Sequence, residues 1–255
     1  MPRFKLTIEY AGTRYSGWQI QKNARTVQGE LERSVRAVVA RQTFELYGSG
    51  RTDAGVHALA QVAHLELYTQ LNPEQLRRKI NDELPSDIHV RAIEKAPHKF
   101  HARHDAVSRS YLYQISRRRT AFGKTLVWWI REPLDVGLMR DSAATFVGMR
   151  DFRGFTDDDP MEKSTIVVVD QLEIAESDPL ILIRIQGSHF IWKMVRRIVG
   201  VLAAVGRGEV APRAAHDPAL DVAALTAPAA GLFLEGVYYA GDPGPGPMMP
   251  VINLA

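Results

Sequence analysis

The 255-residue chain is 45% hydrophobic and 24% charged, and its 32 Lys and Arg against 29 Asp and Glu give a formal net charge of +3. It contains no cysteine, which excludes disulfides and cysteine-based zinc sites and fits a reducing cytoplasm. No apolar run approaches the ~18 residues that a membrane-spanning helix needs. The N-terminus lacks a signal-peptide pattern, so we expect a soluble, cytoplasmic protein with no membrane partner.

The first half of the chain predicts the element order β-α-β-β-α-β. Thr26 is placed to cap a helix with an apolar stripe, and Asn72 caps another with Gln75 in the capping-box position. The predicted elements are a strand at Lys5–Ala11, a helix after Thr26, two strands flanking residues 48–58, a helix from Asn72 to Pro85 and a strand at Ile88–Ala96.

The second half repeats this order in pattern, although not in sequence. The predicted elements are a strand at Arg109–Arg117, a helix at Leu134–Gly148, a hairpin around Ser177–Asp178, a helix at Phe190–Gly206 and a strand at Gly231–Ala240.

Two such units predict an α+β fold of two ferredoxin-like β-α-β-β-α-β halves. Their antiparallel sheets would lie side by side with helices on one face, leaving a cleft between the halves, where ligands commonly bind. We expect an N-terminal half at 1–103 and a C-terminal half at 104–240. A Gly/Pro-rich tail at 241–255 is expected to be loosely ordered.

The stretch Gly48–Ala58, "GSGRTDAGVHA", places one Arg and one Asp on a permissive backbone. In an extended segment Arg51 and Asp53 point the same way, and a nearby guanidinium favours an ionised carboxylate. Such a carboxylate suits covalent catalysis at a sugar carbon or an electron-poor ring carbon. A tight turn is the alternative, because turn chemistry explains most stretches of this kind. The spacing does not match a phosphate-binding P-loop.

Aromatic and basic residues in the second half suit contact with RNA. Tyr111 and Tyr113 share a strand face and form either a half-buried pair or a platform for a base. Basic clusters at 116–124 and 193–197 can bind a phosphate backbone or be solvated faces. Helical spacing favours a solvated pair for Arg196 and Arg197, with one of them able to reach towards Asp53.

A histidine cluster is the remaining candidate for a metal site. His98, His101 and His104 are three residues apart, which does not match a zinc-binding helix with histidines at i and i+4. We therefore expect no metal, and solvated or capping roles for these side chains.

Several segments together resemble the tRNA pseudouridine synthase A family. The string "GRTDAGVHA" is highly specific for it, and four moderately specific segments follow the family's order along nearly the whole chain. These segments are Glu9–Glu32, Phe100–Tyr113, Gly187–Leu202 and Ala227–Tyr239.

The resemblance implies an isomerase that converts uridine to pseudouridine at positions 38–40 of the tRNA anticodon stem-loop, after the base is flipped out. It implies that Asp53 is the nucleophile and that Tyr111 contacts the target base. Arg51 would hold the target nucleotide out of the stack, and Arg196 would face the aspartate or a phosphate. It also implies a homodimer that uses no cofactor.

Two positions depart from the family pattern. Lys163–Ser164 stands where many members have Arg–Thr, and a lysine loses the bidentate geometry of arginine. Arg197 replaces a position that is often Asn. These departures leave open a synthase with a different RNA target. Two further alternatives are an RNA-binding module without catalysis and a glycoside hydrolase, which would need a second carboxylate within about 5–9.5 Å of Asp53.

Overall fold

The protein, a computed structural model, is described for residues 1–39 and 42–254. It divides into two compact units, Met1–Val107 with Phe233–Pro243 and Ser108–Leu232 with Gly244–Ala255. Both units combine helices with mainly antiparallel strands, so the predicted α+β class is confirmed. None of the helices in the described ranges is long and apolar enough to span a bilayer.

The first unit is built on an antiparallel sheet in the order β4-β1-β3-β2. In β1 every second side chain is buried, which is the pattern of a strand with one face against the core. A later strand, β10, pairs in parallel with β3 through Phe233 and Leu234. The strands are β1 (Arg3–Tyr10), β2 (Phe44–Gly48), β3 (His57–Leu67), β4 (Ile88–Ala96) and β10 (Leu232–Tyr239).

Two helices of the first unit begin where the sequence predicted. In α1 (Val27–Val39) the hydroxyl of Thr26 accepts a hydrogen bond from the Gly29 amide at 3.2 Å. In α2 (Pro73–Glu83) the Asn72 side chain accepts from the Gln75 amide, and the Gln75 side chain accepts from the Asn72 amide. These bonds satisfy amides that have no partner within the helix itself.

The second unit has a sheet in the order β5-β9-β8-β7, and all three neighbouring pairs are antiparallel. A short strand, β6, pairs in parallel with the end of β5. The elements are β5 (Ala106–Ser116), β6 (Trp128–Trp129), α3 (Val136–Ala144), β7 (Gly148–Asp151), β8 (Ile166–Ser177), β9 (Leu180–Gly187) and α4 (Met194–Gly206).

The second unit differs from its prediction in four places, one of which is α3, which was predicted to end at Gly148 and ends at Ala144. The strands β6 and β7 were not predicted, because two and four residues are too few to show a periodicity. The helix predicted from Phe190 begins at Met194, since Lys193 adopts a left-handed backbone with φ of 62°. Such a conformation interrupts a right-handed helix.

The Gly/Pro-rich tail is packed against the second unit, so the expectation of a loosely ordered tail is wrong. Leu254 is 7% exposed and belongs to a core cluster that includes Leu112 and Leu182. The Val251 amide donates to the buried Gln114 side chain at 2.6 Å, and Arg184 donates to the Gly246 carbonyl at 2.9 Å. Apolar side chains after the last proline, at Val251, Ile252 and Leu254, supply this burial, which the high glycine and proline content did not predict.

Candidate active site

The loop that carries Asp53 connects β2 to β3 and is fixed by backbone hydrogen bonds. The Trp18 amide donates to the Thr52 carbonyl at 3.1 Å, and the Gly55 amide donates to the Tyr15 carbonyl at 3.2 Å. Within the loop, the Val56 amide donates to the Asp53 carbonyl at 3.1 Å. The main chain on both sides of Asp53 is therefore held by a segment about 40 residues earlier in the chain.

Glycines in that earlier segment allow the two backbones to touch. A Cβ at Gly12 would lie 1.9 Å from the Val56 carbonyl oxygen. At Gly17 φ is +93°, and a Cβ would lie 2.5 Å from the Thr52 carbonyl oxygen. No other residue fits either position, because a side chain would clash with main-chain atoms that cannot move aside.

Buried polar side chains support the loop from within the first unit. Thr52 shares a 2.8 Å hydrogen bond with the Tyr10 hydroxyl, and both residues are buried. The buried Gln61 side chain accepts from the Ser49 hydroxyl at 2.7 Å and donates to the Gly50 carbonyl at 3.1 Å. These contacts preorganise the loop, because each partner is itself locked by packing.

His57 fixes the junction of the loop with β3. Its ring is buried and stacks on Phe233 with centroids 4.8 Å apart. Its Nδ1 accepts a hydrogen bond from the Gly12 amide at 3.1 Å. The same histidine therefore links the loop, the glycine-bearing segment and β10.

Asp53 itself is half-buried and its neighbour Arg51 is exposed. The Arg51 Nε donates to the side-chain oxygen of Gln19 at 3.2 Å. The buried Thr52 lies between them, so the loop anchors its middle residue and presents the residues on either side. Sequence reasoning selected Asp53 and Arg51 but missed Gly17, Tyr10 and Gln61, whose contacts are distant in the chain.

The two tyrosines of β5 have different surroundings. Tyr111 is half-buried, and its ring meets Phe190 edge-on with centroids 5.2 Å apart. Tyr113 is fully buried, and its hydroxyl donates to the Pro228 carbonyl at 2.8 Å. Burial raises the pKa of Tyr113 well above its ordinary value. Of the pair, Tyr111 alone has exposed ring surface for a ligand, and Tyr113 is a core residue.

Arg196 and Arg197 lie in the first turn of α4 and also differ. Arg196 is half-buried, and its Nε donates to the Ala227 carbonyl at 2.7 Å. Arg197 is 3% exposed and donates to the Asp157 carboxylate, so the expectation of a solvated side chain is wrong for this residue. Its buried Nε has no hydrogen-bond partner.

An ionic latch, defined as Asp157 with Lys193 and Arg197, joins the loop after β7 to the start of α4. Asp157 also accepts a 2.9 Å hydrogen bond from Lys193. The bonds from Lys193 and Arg197 lower the pKa of the Asp157 carboxyl below its ordinary value. The departure at Arg197 thus has a structural role beside Arg196.

The departure at Lys163 lies next to this latch. The Lys163 ammonium donates to Asp158 at 2.7 Å, and Asp158 also accepts from the Trp192 amide at 3.2 Å. Burial acts to raise the pKa of Asp158, but these hydrogen bonds outweigh it and hold the pKa below its ordinary value. Lys163 therefore stabilises the segment that precedes α4 through one charged hydrogen bond to Asp158.

The histidine cluster shows local capping. The Nδ1 of His101 accepts hydrogen bonds from the amides of Arg103 and His104 at 3.2 and 3.3 Å. In the part of the chain that the structure describes, no group of three His, Asp or Glu could hold a metal ion.

Comparisons with known proteins give one family. The family model described as tRNA pseudouridine synthase matches residues 6–105 and 142–240. The tRNA pseudouridine synthase A of Rhodopseudomonas palustris (strain BisA53) is 40% identical over 249 residues, covering 94% of this chain and all of the relative. The tRNA pseudouridine synthase A of Allorhizobium ampelinum is 39% identical, covering 95% of this chain and 96% of the relative. The tRNA pseudouridine synthase A 2 of Bacillus anthracis is 35% identical, covering 94% of this chain and all of the relative.

Among solved structures the similarity is weak. A chain of the Cbf5-Nop10-Gar1 complex aligns with 78% of this chain and 54% of its own length, at a TM-score of 0.32 and 12% identity. These values are too low to support an argument about fold or function.

Proposed function

The chain belongs to the tRNA pseudouridine synthase family, and on that premise we propose that it isomerises uridine at positions 38–40 of the tRNA anticodon stem-loop, with Asp53 as the nucleophile. Enzymes of this family are isomerases, which agrees with the resemblance drawn from the sequence. Substrate position and residue roles are the parts that we infer.

The reaction needs no cofactor. The bond between N1 of the uracil and C1′ of the ribose breaks, the base turns, and C5 bonds to C1′ instead. The hydrogen on C5 leaves as a proton and N1 gains one, so atoms and electrons balance without an oxidant or group donor. A carboxylate can assist by attacking C1′ or C6, or by removing a proton to form a glycal.

The observation that carries the proposal is the fixed main chain on both sides of Asp53. A nucleophile gains most when its position is set before substrate arrives, since orientation then costs nothing in the transition state. The Trp18 and Gly55 amide bonds and the contact at Gly17 provide that restraint. A glycine-rich turn with no role has no need of such anchoring.

The other residues receive roles that suit their surroundings. The half-buried ring of Tyr111, braced by Phe190, offers a surface for a flipped base. The exposed Arg51 can hold the displaced nucleotide, and Arg196, oriented by Ala227, can meet a phosphate.

We extend the proposal to the organisation of the chain. The strand order of the first unit supports the interpretation that the protein consists of two ferredoxin-like halves, at 1–103 and 104–240, followed by the tail. The family resemblance supports a homodimer that acts on tRNA in the cytoplasm.

Tritium release from tRNA labelled with [5-³H]uridine tests the proposal, because forming the C5 bond must expel that hydrogen. We expect wild type to release tritium and Asp53→Asn to release none while it still binds tRNA. The isosteric change keeps the main-chain contacts, so a folded, inactive variant identifies the carboxylate. Tritium release at the wild-type rate by Asp53→Asn would show that the Asp53 carboxylate takes no part in the reaction. Mapping the carbodiimide adducts of pseudouridine in the product tRNA by primer extension tests positions 38–40.

A further inference from the structure

The segment 119–131 of the second unit carries exposed cations and aromatic rings that the proposed chemistry does not use. We call these side chains the basic-aromatic surface and define it as Arg119, Phe122, Lys124, Trp129 and Arg131. Phe122 is 99% exposed and Trp129 is 41% exposed. The Arg119 guanidinium lies 5.7 Å from the centroid of the Trp129 ring. Large exposed aromatic side chains of this kind commonly mark an interaction site.

The cations of this surface differ from the two arginines directly before them in the chain. Two adjacent arginines are already engaged, since Arg117 pairs with Glu176 and Arg118 donates to the Leu254 carbonyl. Across residues 1–39 and 42–254, no carboxylate lies within 4.0 Å of the side-chain nitrogens of Arg119, Lys124 or Arg131. Three cations are therefore available to an anionic partner.

Hydrogen bonds and packing hold the segment that carries these side chains in place. The strand β6 pairs with β5 at Ile115 and Ser116, and the Ile130 amide donates to the Ser116 carbonyl at 3.1 Å. The buried Gly123 lies against the tail, where a Cβ would come within 2.7 Å of Ile252 and 3.1 Å of Leu254. The surface is thus presented on a braced scaffold, which lowers the entropy cost of binding.

The surface is distant from Tyr111 along a single strand. Trp129 pairs with Ser116 at the end of β5, which is five positions beyond Tyr111, or roughly 17 Å at ~3.3 Å per residue. A ligand on the basic-aromatic surface therefore contacts nucleotides other than a base held at Tyr111.

We propose that the basic-aromatic surface is a second RNA-binding site, which takes phosphates on its three cations and stacks a base on Trp129 or Phe122. Arg and Lys beside exposed aromatic rings suit RNA, because the chain then meets both the charge and the ring faces of nucleotides. Self-association through this surface is disfavoured, since it would bring like charges together. The inference rests on the proposed function for its ligand, tRNA.

The test compares the triple variant Arg119→Ala/Lys124→Ala/Arg131→Ala with wild type in binding to an unmodified tRNA transcript between 50 and 200 mM KCl. Each lost phosphate contact reduces the slope of log K against log salt by roughly 0.7–0.9, so the triple variant should lose about 2–3. In tritium release, the loss should appear as a higher KM. Arg77→Ala/Arg78→Ala is the matched control, because both guanidinia are paired with Glu74.

Phe122→Ala and Trp129→Ala separate stacking from charge. We expect each to weaken tRNA binding without changing the salt slope, because neither carries a charge. An unchanged affinity and slope in the triple variant would overturn the inference. So would a change in sedimentation with no change in tRNA binding, which would identify a contact between copies.

The two proposals fail in different ways. If wild type binds tRNA but releases no tritium, the catalytic proposal is contradicted. The salt dependence of tRNA binding then still tests the basic-aromatic surface. Normal tritium release with a triple variant that binds like wild type contradicts the surface alone. A wild type that binds no tRNA contradicts both.

Discussion

The loop that carries Asp53 and the turn that carries Arg196 are fixed by different forces. Neutral main-chain hydrogen bonds and the glycine contact at Gly17 restrain the Asp53 loop. The ionic latch around Asp157 restrains the start of α4. Neutral packing is largely insensitive to salt and pH, whereas a partly exposed ion pair responds to both. The comparison therefore predicts that acid and salt loosen the Arg196 turn before the Asp53 loop.

Gly17→Ala should give the largest effect. A methyl group there meets the Thr52 carbonyl at 2.5 Å and forces an alanine to φ of +93°. Steric overlap and the unfavourable backbone together should lower the free energy of unfolding by about 3–4 kcal/mol. Urea denaturation measures this loss, and tritium release should fall with it.

Gly50→Ala is the matched control in the same loop. A Cβ at Gly50 has no atom of the described chain within 4 Å beyond its immediate neighbours, so stability should change by less than about 1 kcal/mol. Equal losses in both variants would contradict the view that the contact at Gly17 restrains the loop.

His64 should make the first unit sensitive to mild acid. Burial, followed by the charges of Arg3 and His101, lowers its pKa to about 4 in the folded protein. The unfolded chain binds a proton near pH 6.5 and the folded chain does not, so stability is present above pH ~6.5 and is lost as pH falls towards ~4. The slope should approach about 1.4 kcal/mol per pH unit at most.

His64→Gln should flatten this slope, because an amide does not titrate and its oxygen can still accept from the Ala102 amide. Hydrogen exchange of the β3 amides between pH 4 and 7 reports on it. Other histidines with lowered pKa values, such as His101, leave part of the slope in the variant, so an undiminished slope would contradict the role of His64.

Leu254→Ala tests a neutral contact inside the second unit. The side chain is 7% exposed within an apolar cluster, so its loss should lower the free energy of unfolding by about 2 kcal/mol. The loss should be the same at 50 mM and 1 M KCl. A salt-dependent loss would show that the unit, rather than the type of contact, determines the response.

Asp157→Asn should lower the free energy of unfolding by only about 1 kcal/mol, because the carboxylate is 40% exposed although its Arg197 partner is buried. Arg197→Met should cost less, since it removes the buried charge as well. The lowered pKa of Asp157 gives a contribution that is present above the ordinary carboxyl range and is lost as pH falls through the lowered value. Urea titrations at pH 7 and pH 3 check both points, and an undiminished loss at pH 3 would contradict the latch.

Much of the fold followed from local pattern. The periodicity of the first 96 residues and the capping box at Asn72 predicted six elements in the observed order. The short strands β6 and β7 carried no periodicity, and the left-handed Lys193 has no sequence signature. The tail was misjudged because glycine and proline outnumber the side chains, such as Leu254, that become buried.

The candidate site was predictable only in part. Glycine spacing and the family resemblance selected Asp53, whereas Gly17 and Gln61 support it from positions that no local pattern connects to the loop. Arg197 was predicted to be solvated because helical spacing does not reveal its partner. That partner, Asp157, lies 40 residues earlier in the chain and accepts a hydrogen bond from Arg197 in the folded protein. Long-range contacts of this kind depend on the folded backbone.

The interlocked backbones at Gly12 and Gly17 also matter for protein engineering. Main-chain carbonyls and amides anchor the loop on both sides of residue 53, and every amino acid except proline carries both groups. A library at position 53 can therefore place Glu, Cys or His on the same scaffold with its main-chain anchors intact. The loop can therefore present a chosen functional group at position 53. Variants at this position can be screened one side chain at a time for new reactions with a flipped-out base.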